Sequence, residues 1–191
     1  MLSSTLFAFA TSLFTLSTSA APLRTRQTAQ YCSPQIDGTL STSISPAFDT
    51  LAHWNWLSGE KSRDTTIVTE TGHGGEIPYG TYMTITQQDG APDQYRIGVG
   101  EHDGVNVCLA PHDDEIWGVD CSDSDAAWTI SCLNCELYNG HPQGNCRFES
   151  TKVGLCATFT DFDQPLNLTE CAPIGEGDVS NPQNNPQQFI F

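Results

Sequence analysis

Acidic residues are concentrated in the middle of the chain, around one tryptophan. The carboxylates between residues 101 and 125 have no lysine or arginine among them; they are Glu101, Asp103, Asp113, Asp114, Glu115, Asp120, Asp123 and Asp125. A neutral sugar is held by an aromatic face against the apolar side of its ring and by oxygens that accept hydrogen bonds from its hydroxyls. Asp113, Asp114, Trp117 and Asp123 have these residue types at close spacing, although an acidic surface hairpin with Trp117 packed inward fits them as well.

Residues that could form an active site do not occur at the spacing that catalysis needs. The histidines form no H-E-x-x-H motif and no pair four residues apart; they are His53, His73, His102, His112 and His141. The chain also has no G-x-S-x-G sequence. A glycosidase needs two catalytic carboxylates, and 23 acidic residues offer so many pairs that their number identifies none of them. We therefore expect a binding protein rather than an enzyme, with no cofactor and no metal.

The balance of charge limits the partners. The chain of 191 residues has 23 acidic side chains against 7 basic ones, a formal net charge of −16. Nucleic acids and anionic membranes are bound through clustered lysine and arginine, so a field of this sign repels both. The partner that fits this charge is a neutral glycan or glycoprotein, and the oligomeric state stays open.

The N-terminal region is typical of an exported protein. Residues 1–20 contain no charged side chain, and their apolar stretch from Leu6 to Leu16 is too short to span a bilayer. We interpret 1–20 as a signal peptide cleaved after Ala20, 21–30 as a possible propeptide or flexible N-terminus, and 31–191 as a single domain. The protein is then secreted and extracellular, and the Asn167-Leu168-Thr169 sequon predicts a glycan on Asn167.

Short strand-like segments dominate the rest of the chain. Runs rich in Val, Ile, Thr and aromatic residues, separated by Gly, Asp, Asn and Pro, occur at 65–71, 81–87, 94–100, 105–110, 116–121, 126–132, 146–150, 153–159, 166–171 and 187–191. Such a series predicts an all-β sandwich or barrel. The segment 45–59 fits a helix or a strand equally well.

An internal repeat distinguishes between the two all-β architectures. Cys108 is followed after 13 residues by Cys121 and then by Trp128, and Cys156 is followed after 15 residues by Cys171 and then by Phe189. A third, degenerate copy ends at Tyr82-Met83-Thr84-Ile85. Three four-stranded units, each ending in an aromatic residue, describe a β-trefoil, in which Tyr82, Trp128 and Phe189 would fill the centre of the barrel.

The repeat resembles that of the ricin B-type lectin family, whose signature is Q-x-W. Gln187-Gln188-Phe189 keeps the glutamine and an aromatic residue, and Trp128 keeps the tryptophan, so the resemblance covers residues 94–191. It implies a disulfide-stapled β-trefoil with Cys108 bonded to Cys121 and Cys156 to Cys171.

Eight cysteines in an oxidising compartment predict four disulfides, so four cysteines are left once the repeat has assigned its two bonds. These residues allow three pairings; among them we favour Cys135–Cys146 together with Cys32–Cys132. A zinc site at the C-x-x-C of Cys132 and Cys135 lacks a second ligand pair.

The resemblance also implies a sugar-binding aspartate just after the first cysteine strand, but that place is taken here by Ala110 and, in the last repeat, by Ala157 or Thr158. In the second repeat Asp113 or Asp114 could substitute, with Trp117 and Asp123. In the third, Asp161 or Asp163 could act with Phe162 and Asn167, a place that a glycan on Asn167 would obstruct. Three functions remain open: carbohydrate binding without catalysis, a protease inhibitor or host-interaction protein whose sugar sites have decayed, or an acidic secreted hydrolase that uses two of the many carboxylates.

Overall fold

The computed structural model describes residues 31–49, 52–56, 66–71, 82–98, 106–138, 141–142, 145–173 and 186–191. The predicted signal peptide, 1–20, and the segment 21–30 lie outside these residues. The described ranges contain strands and a short 3-10 helix, Ser124–Ala126, but no α-helix. A search of the same residues finds no helix with the length and apolar character that crossing a bilayer requires.

The strands, numbered in chain order, are β1 Thr39–Thr42, β2 Ser45–Pro46, β3 Ala52–Trp56, β4 Ile67–Thr71, β5 Met83–Gln88, β6 Ala91–Gly98, β7 Val107–His112, β8 Glu115–Asp120, β9 Trp128–Cys132, β10 Leu137–Tyr138, β11 His141–Pro142, β12 Cys146–Ser150, β13 Leu155–Thr158, β14 Asn167–Glu170 and β15 Phe189–Ile190. Each of the ten predicted runs overlaps one of them. Within 45–59 the described residues include β2 and β3 and no helix, so the helical alternative is wrong for them. The alternating Ala52-His53-Trp54-Asn55-Trp56 pairs with β4 as a hairpin.

The strands form three units around one barrel. Antiparallel pairing runs from β1 to β5, then to β6, β9, β12 and β15, and β15 returns to β2, which follows β1 directly. Each unit contributes two barrel strands and one hairpin; the hairpins are β3–β4, β7–β8 and β13–β14. A closed six-stranded barrel with three hairpins at one end is the predicted β-trefoil.

The tips of the hairpins lie against one another and cap the barrel. Asn167 of β14 pairs with Glu115 of β8, Thr66 pairs with Trp117, and Val68 bridges to Pro165. The hairpins differ in exposure: the described side chains of β3 and β4 are all buried, whereas β8 alternates, with Ile116 buried and Glu115 and Trp117 half-buried. The outward side of β8 and the tip of β7–β8 are therefore surfaces on which a site can form.

Aromatic rings from the first and third units meet in the core. Trp54 lies 5.2 Å from Phe148 and 5.0 Å from Phe189, measured between ring centroids. The indole N–H of Trp128 donates to the Leu109 carbonyl at 2.8 Å. Trp128 and Phe189 are fully buried, as the repeat predicts.

The prediction that Tyr82 fills the core is wrong, because its side chain is 51% exposed while Met83 is fully buried. The correct match to Trp128-Thr129-Ile130 is Met83-Thr84-Ile85: Ile85 faces Ile97 on the next barrel strand as Ile130 faces Phe148. In a strand, an error of one residue moves a side chain to the opposite face.

The glutamine of the Q-x-aromatic signature connects β15 to the third hairpin. The Gln187 side chain is buried; its Oε1 accepts from the Ala172 N–H at 2.7 Å. Its Nε2 lies within hydrogen-bond distance of Thr158 Oγ1, Thr169 Oγ1 and the Glu170 carbonyl, at 3.0, 2.7 and 2.8 Å. One side-chain amide therefore makes hydrogen bonds to β13, to β14 and to Ala172 beyond β14. These bonds supply partners for the Gln187 amide, which is shielded from water.

All eight cysteines are in disulfides, and two of the predicted bonds are confirmed, Cys108–Cys121 and Cys156–Cys171. The other pairing, Cys135–Cys146 with Cys32–Cys132, is wrong: the bonds are Cys32–Cys135 and Cys132–Cys146. Cys132 and Cys146 face each other directly across β9 and β12, with their Cα atoms 4.0 Å apart. Cys32 is also next to Cys132, but through mutual backbone hydrogen bonds of 3.0 and 2.8 Å, and its sulfur bonds Cys135.

The first unit has a histidine where the other two have a disulfide. His53 precedes the core residue Trp54 as Cys108 precedes Leu109, and its Nδ1 shares a 2.9 Å hydrogen bond with Ser45 Oγ. Both side chains are buried. Burial lowers the pKa of His53 from the ordinary value of 6.5, and the charge of Asp49 opposes that change.

Non-reducing peptide mapping tests the corrected disulfides. We expect one linked species joining the peptide of Cys32 to that of Cys135, and a second joining Cys132 to Cys146, after cleavage both between Cys132 and Cys135 and between Cys135 and Cys146. Detection of Cys32 linked to Cys132 would contradict the N-terminal anchoring described above.

The stability of the fold should fall in mildly acidic solution because of His53. Its pKa is lower in the folded than in the unfolded state, so between the two values only the unfolded chain takes up the proton. The contribution of neutral His53 to the free energy of unfolding is complete above pH 6.5, and it is lost as the pH falls toward the pKa of His53 in the folded state. We expect the free energy of urea unfolding to decline from pH 7.5 to 5.5 with a smaller slope in His53→Gln. His112→Gln is the matched control, and equal slopes in wild type and His53→Gln would refute the assignment.

Candidate functional site

The second hairpin, β7–β8, turns at two adjacent members of the acidic run. His112 pairs with Glu115 across a tight turn made by Asp113 and Asp114, and both aspartates are exposed. Asp113 has a φ of 54°, a left-handed conformation that aspartate tolerates better than most residues. The turn therefore projects two carboxylates into solvent at the tip.

Alternation along β8 divides its side chains between core and surface. Ile116 is fully buried and Gly118 is buried, whereas Glu115 and Trp117 are half-buried on the outer face. The cross-strand partner of Trp117 is Ala110, the position where the sequence resemblance expects an aspartate. Ala110 is buried and packs with Cys108 and Ala126, so this position carries no polar group for a ligand.

Two contacts fix the orientation of Trp117. Its indole N–H donates to Glu115 Oε2 at 2.8 Å. The His112 ring stacks on the indole with a centroid distance of 4.3 Å and an interplanar angle of 19°. These contacts hold Trp117 in one orientation while the 55% exposed His112 side chain faces solvent.

This arrangement can hold a polar ring that has one apolar face. The separation of the His112 and Trp117 rings excludes a ligand between them, so a ligand would lie on the outer face of His112 and the free edge of the indole. Asp113, whose side chain is 89% exposed, and Asp114 can accept hydrogen bonds from ligand hydroxyls. Asp113 Oδ2 lies 3.8 Å from His112 Nδ1, a solvent-exposed pair of little energetic weight.

The fourth predicted residue, Asp123, lies at the other end of the hairpin. β8 ends at Asp120, and six residues of strand span about 20 Å. Asp123 caps the short 3-10 helix, where its side chain accepts from the Asp125 N–H at 2.9 Å. The structure thus brings Asp113, Asp114 and Trp117 together and places Asp123 in a separate structural role.

Sequence reasoning missed two residues of this cluster, His112 and Glu115. Their signal was present: a two-residue turn at 113–114 makes 112 and 115 direct partners, and alternation places 115 and 117 on one face. A third neighbour, Asn167, is the partner of Glu115 on β14.

The alternative place in the third repeat is occupied by structural contacts. Phe162 packs edge-on against Phe159 with ring centroids 5.3 Å apart. The backbone N–H of Phe162 donates a hydrogen bond to Asp161 Oδ1 at 2.8 Å, and the Asp163 N–H donates to the Thr69 carbonyl at 2.8 Å. This segment joins the third hairpin to the first, which leaves Phe162 less available to a ligand than His112 and Trp117.

An open cavity of about 720 Å³ lies at the other end of the barrel, beside the β5–β6 turn. Its lining includes Asp37, Thr86, Gln87, Asp89 and Arg96, and no aromatic side chain. Gln87 Oε1 accepts from the Ile36 N–H at 3.2 Å, which holds the N-terminal segment against the turn. The cavity offers hydrogen-bonding groups but no aromatic surface.

One group of potential metal ligands occurs among the described residues. The donor atoms of Glu149, Cys156 and Cys171 lie within 4.8 Å of one another. Both sulfurs belong to the Cys156–Cys171 disulfide, so the group provides one carboxylate and no thiolate.

No protein-family model matches the chain, and no curated protein matches it either. Solved structures with a similar fold include the Haemophilus ducreyi cytolethal distending toxin, 11% identical, covering 80% of this chain and 81% of the toxin chain with a TM-score of 0.53. Another is the Polyporus squamosus lectin bound to the epitope Neu5Aca2-6Galb1-4GlcNAc, 12% identical, covering 81% of this chain and 49% of the lectin chain with a TM-score of 0.49. The chain thus corresponds to about half of that lectin chain. At 11% identity, the likeness to the toxin structure shows a shared fold and nothing about ligands.

Proposed function

We propose that the protein binds neutral carbohydrate, without catalysis, at the tip of the β7–β8 hairpin. We call this site, formed by His112, Asp113, Asp114, Glu115 and Trp117, the hairpin site. The observation that carries the proposal is the oriented aromatic pair beside exposed carboxylates. An imidazole stacked on an indole presents an apolar face, and the carboxylates next to it accept hydrogen bonds from hydroxyls.

The chemistry of the hairpin site selects against other ligands. Three carboxylates at its border disfavour anions, and a net charge of −16 adds to that effect. A neutral saccharide fits because its ring carries apolar C–H groups on one side and hydroxyls at the edge. The cavity beside the β5–β6 turn is a weaker candidate, since it has no aromatic surface for the apolar side of a sugar.

Two further features support the proposal. The sequence resembles the ricin B-type lectins, and the confirmed disulfides Cys108–Cys121 and Cys156–Cys171 are those that the resemblance implies. The four disulfides are also those expected of a secreted protein, which meets extracellular glycans.

An open site of this size should bind one saccharide unit weakly. Binding is therefore best detected on an array that displays many copies of each glycan, because multivalent display raises the apparent affinity. Isothermal titration with the best soluble ligand then gives the dissociation constant of the single site.

Replacing Trp117 with alanine should abolish most of this binding. The change removes the ring that supports His112 and also frees Glu115 Oε2, so we expect at least a tenfold rise in Kd, equivalent to about 1.4 kcal/mol. Tyr82→Ala is the matched control, because Tyr82 is exposed and lies outside the hairpin site. Melting curves would verify that both variants fold.

Two results would count against the hairpin site. One is binding that is unchanged in folded Trp117→Ala, which would move the ligand elsewhere. The other is a folded wild-type protein that binds no glycan but inhibits a protease at nanomolar concentration. That outcome would favour the alternative function, inhibition of a protease or interaction with a host protein.

A further inference from the structure

The glycosylation sequon lies next to the hairpin site. Asn167 is the direct antiparallel partner of Glu115, and the Leu168 N–H donates to the Asp114 carbonyl at 2.6 Å. The sequence had placed this sequon with the alternative site of the third repeat. In the fold, the β14–β8 pairing makes it part of the border of the second-repeat site.

The side chain of Asn167 points to the same side as the hairpin site. Leu166 and Leu168 on either side of it are buried at 1% and 4% exposure, so alternation directs Asn167 outward. Direct partners in an antiparallel pair lie on one face with their Cβ atoms about 5 Å apart, and diagonal neighbours are within about 8 Å. Glu115 and, one step further along β8, Trp117 are therefore within reach of a group attached to Asn167.

We propose that an N-linked glycan on Asn167 covers the hairpin site and that its absence opens the site to external ligands. This inference rests on the proposed function. The amide Nδ2 of Asn167 would attack the anomeric carbon of an activated sugar donor of the secretory route. The C–N bond forms as the donor's diphosphate leaves, and the nitrogen loses one proton.

The attached sugar has the chemistry that the site accepts. A pyranose ring joined to Asn167 carries apolar C–H groups and hydroxyls, like the neutral ligand proposed above. A group on a short flexible tether has an effective concentration on the order of millimolar, whatever is dissolved around the protein. A weakly binding external glycan would have to displace it, so glycosylation reduces the apparent affinity without changing the fold.

The test compares proteins secreted from one glycosylating host. Wild type is compared with Asn167→Gln and, as a second variant, Asn167→Ser, with occupancy of Asn167 read by mass spectrometry. Thr169→Ala is unsuitable for removing the sequon, because Thr169 Oγ1 also contacts Gln187 Nε2 and Thr158 Oγ1, each at 2.7 Å.

A relocated glycan supplies the matched control. Asp37 is exposed and followed by Gly38-Thr39, so Asp37→Asn creates a sequon with one substitution. Asp37 lies beside the β5–β6 turn, at the end of the barrel away from the hairpin tips. The double variant Asp37→Asn/Asn167→Gln therefore has its glycan at the opposite end of the barrel from Trp117.

We expect glycosylated wild type to bind array glycans at least tenfold more weakly than Asn167→Gln, and the relocated glycan to have no such effect. We also expect the indole N–H resonance of Trp117, assigned with Trp117→Phe, to differ between wild type and Asn167→Gln. This resonance reports contact with the attached glycan even if no external ligand binds.

Each contrary result has one meaning. An unoccupied Asn167, an unchanged indole resonance, or equal affinities of wild type and Asn167→Gln would overturn the covering glycan. Failure of the folded, unglycosylated variants to bind any glycan, with a shifted indole resonance, would instead overturn the proposed function and leave the contact standing.

Discussion

The buried contact of Trp54 with Phe148 and Phe189 is the interaction on which the rest of the structure depends. No single unit can bury its own apolar face, since four short strands enclose too little volume. Trp54 comes from the hairpin of the first unit, and the two phenylalanines come from the third. Because one core serves all units, the hairpin tips must meet as a cap, and that meeting brings β14 beside β8.

The hairpin site exists because one strand faces two environments. Ile116 contributes to the shared core, so its neighbours Glu115 and Trp117 must face outward. The pairing of β8 with β7 then sets His112 opposite Glu115, and its pairing with β14 sets Asn167 there as well. The site is thus a consequence of core packing and register, and a shift of one residue along β8 would bury the indole and expose the isoleucine.

Local patterns in the sequence predicted what is locally determined. The strand runs, the turn at Asp113 and Asp114, and the short disulfide loop at Cys108 all depend on neighbouring residues. Contacts between distant segments were less accessible: Cys32 bonds Cys135 over 103 positions, and no pattern identifies that partner. The first unit was hard to align because His53 replaces the cysteine that marks the other two. For the site, the sequence identified the acidic residues of the second hairpin. The pairing of Glu115 with Asn167 could not be predicted from it, because that pairing depends on how two hairpins pack together.

The three hairpins have the same position in the fold but differ in what their surfaces can do. In the third unit, Phe162 joins the apolar contact with Phe159 that connects it to Phe48, so its ring contributes to stability. In the second unit, Trp117 stacks on an exposed histidine and donates a hydrogen bond to a carboxylate of its own strand. An aromatic side chain is therefore structural where it packs against another apolar ring and available where its neighbours are polar. This difference in surroundings, rather than the number of aromatic residues, is the reason for proposing the ligand site at the second hairpin.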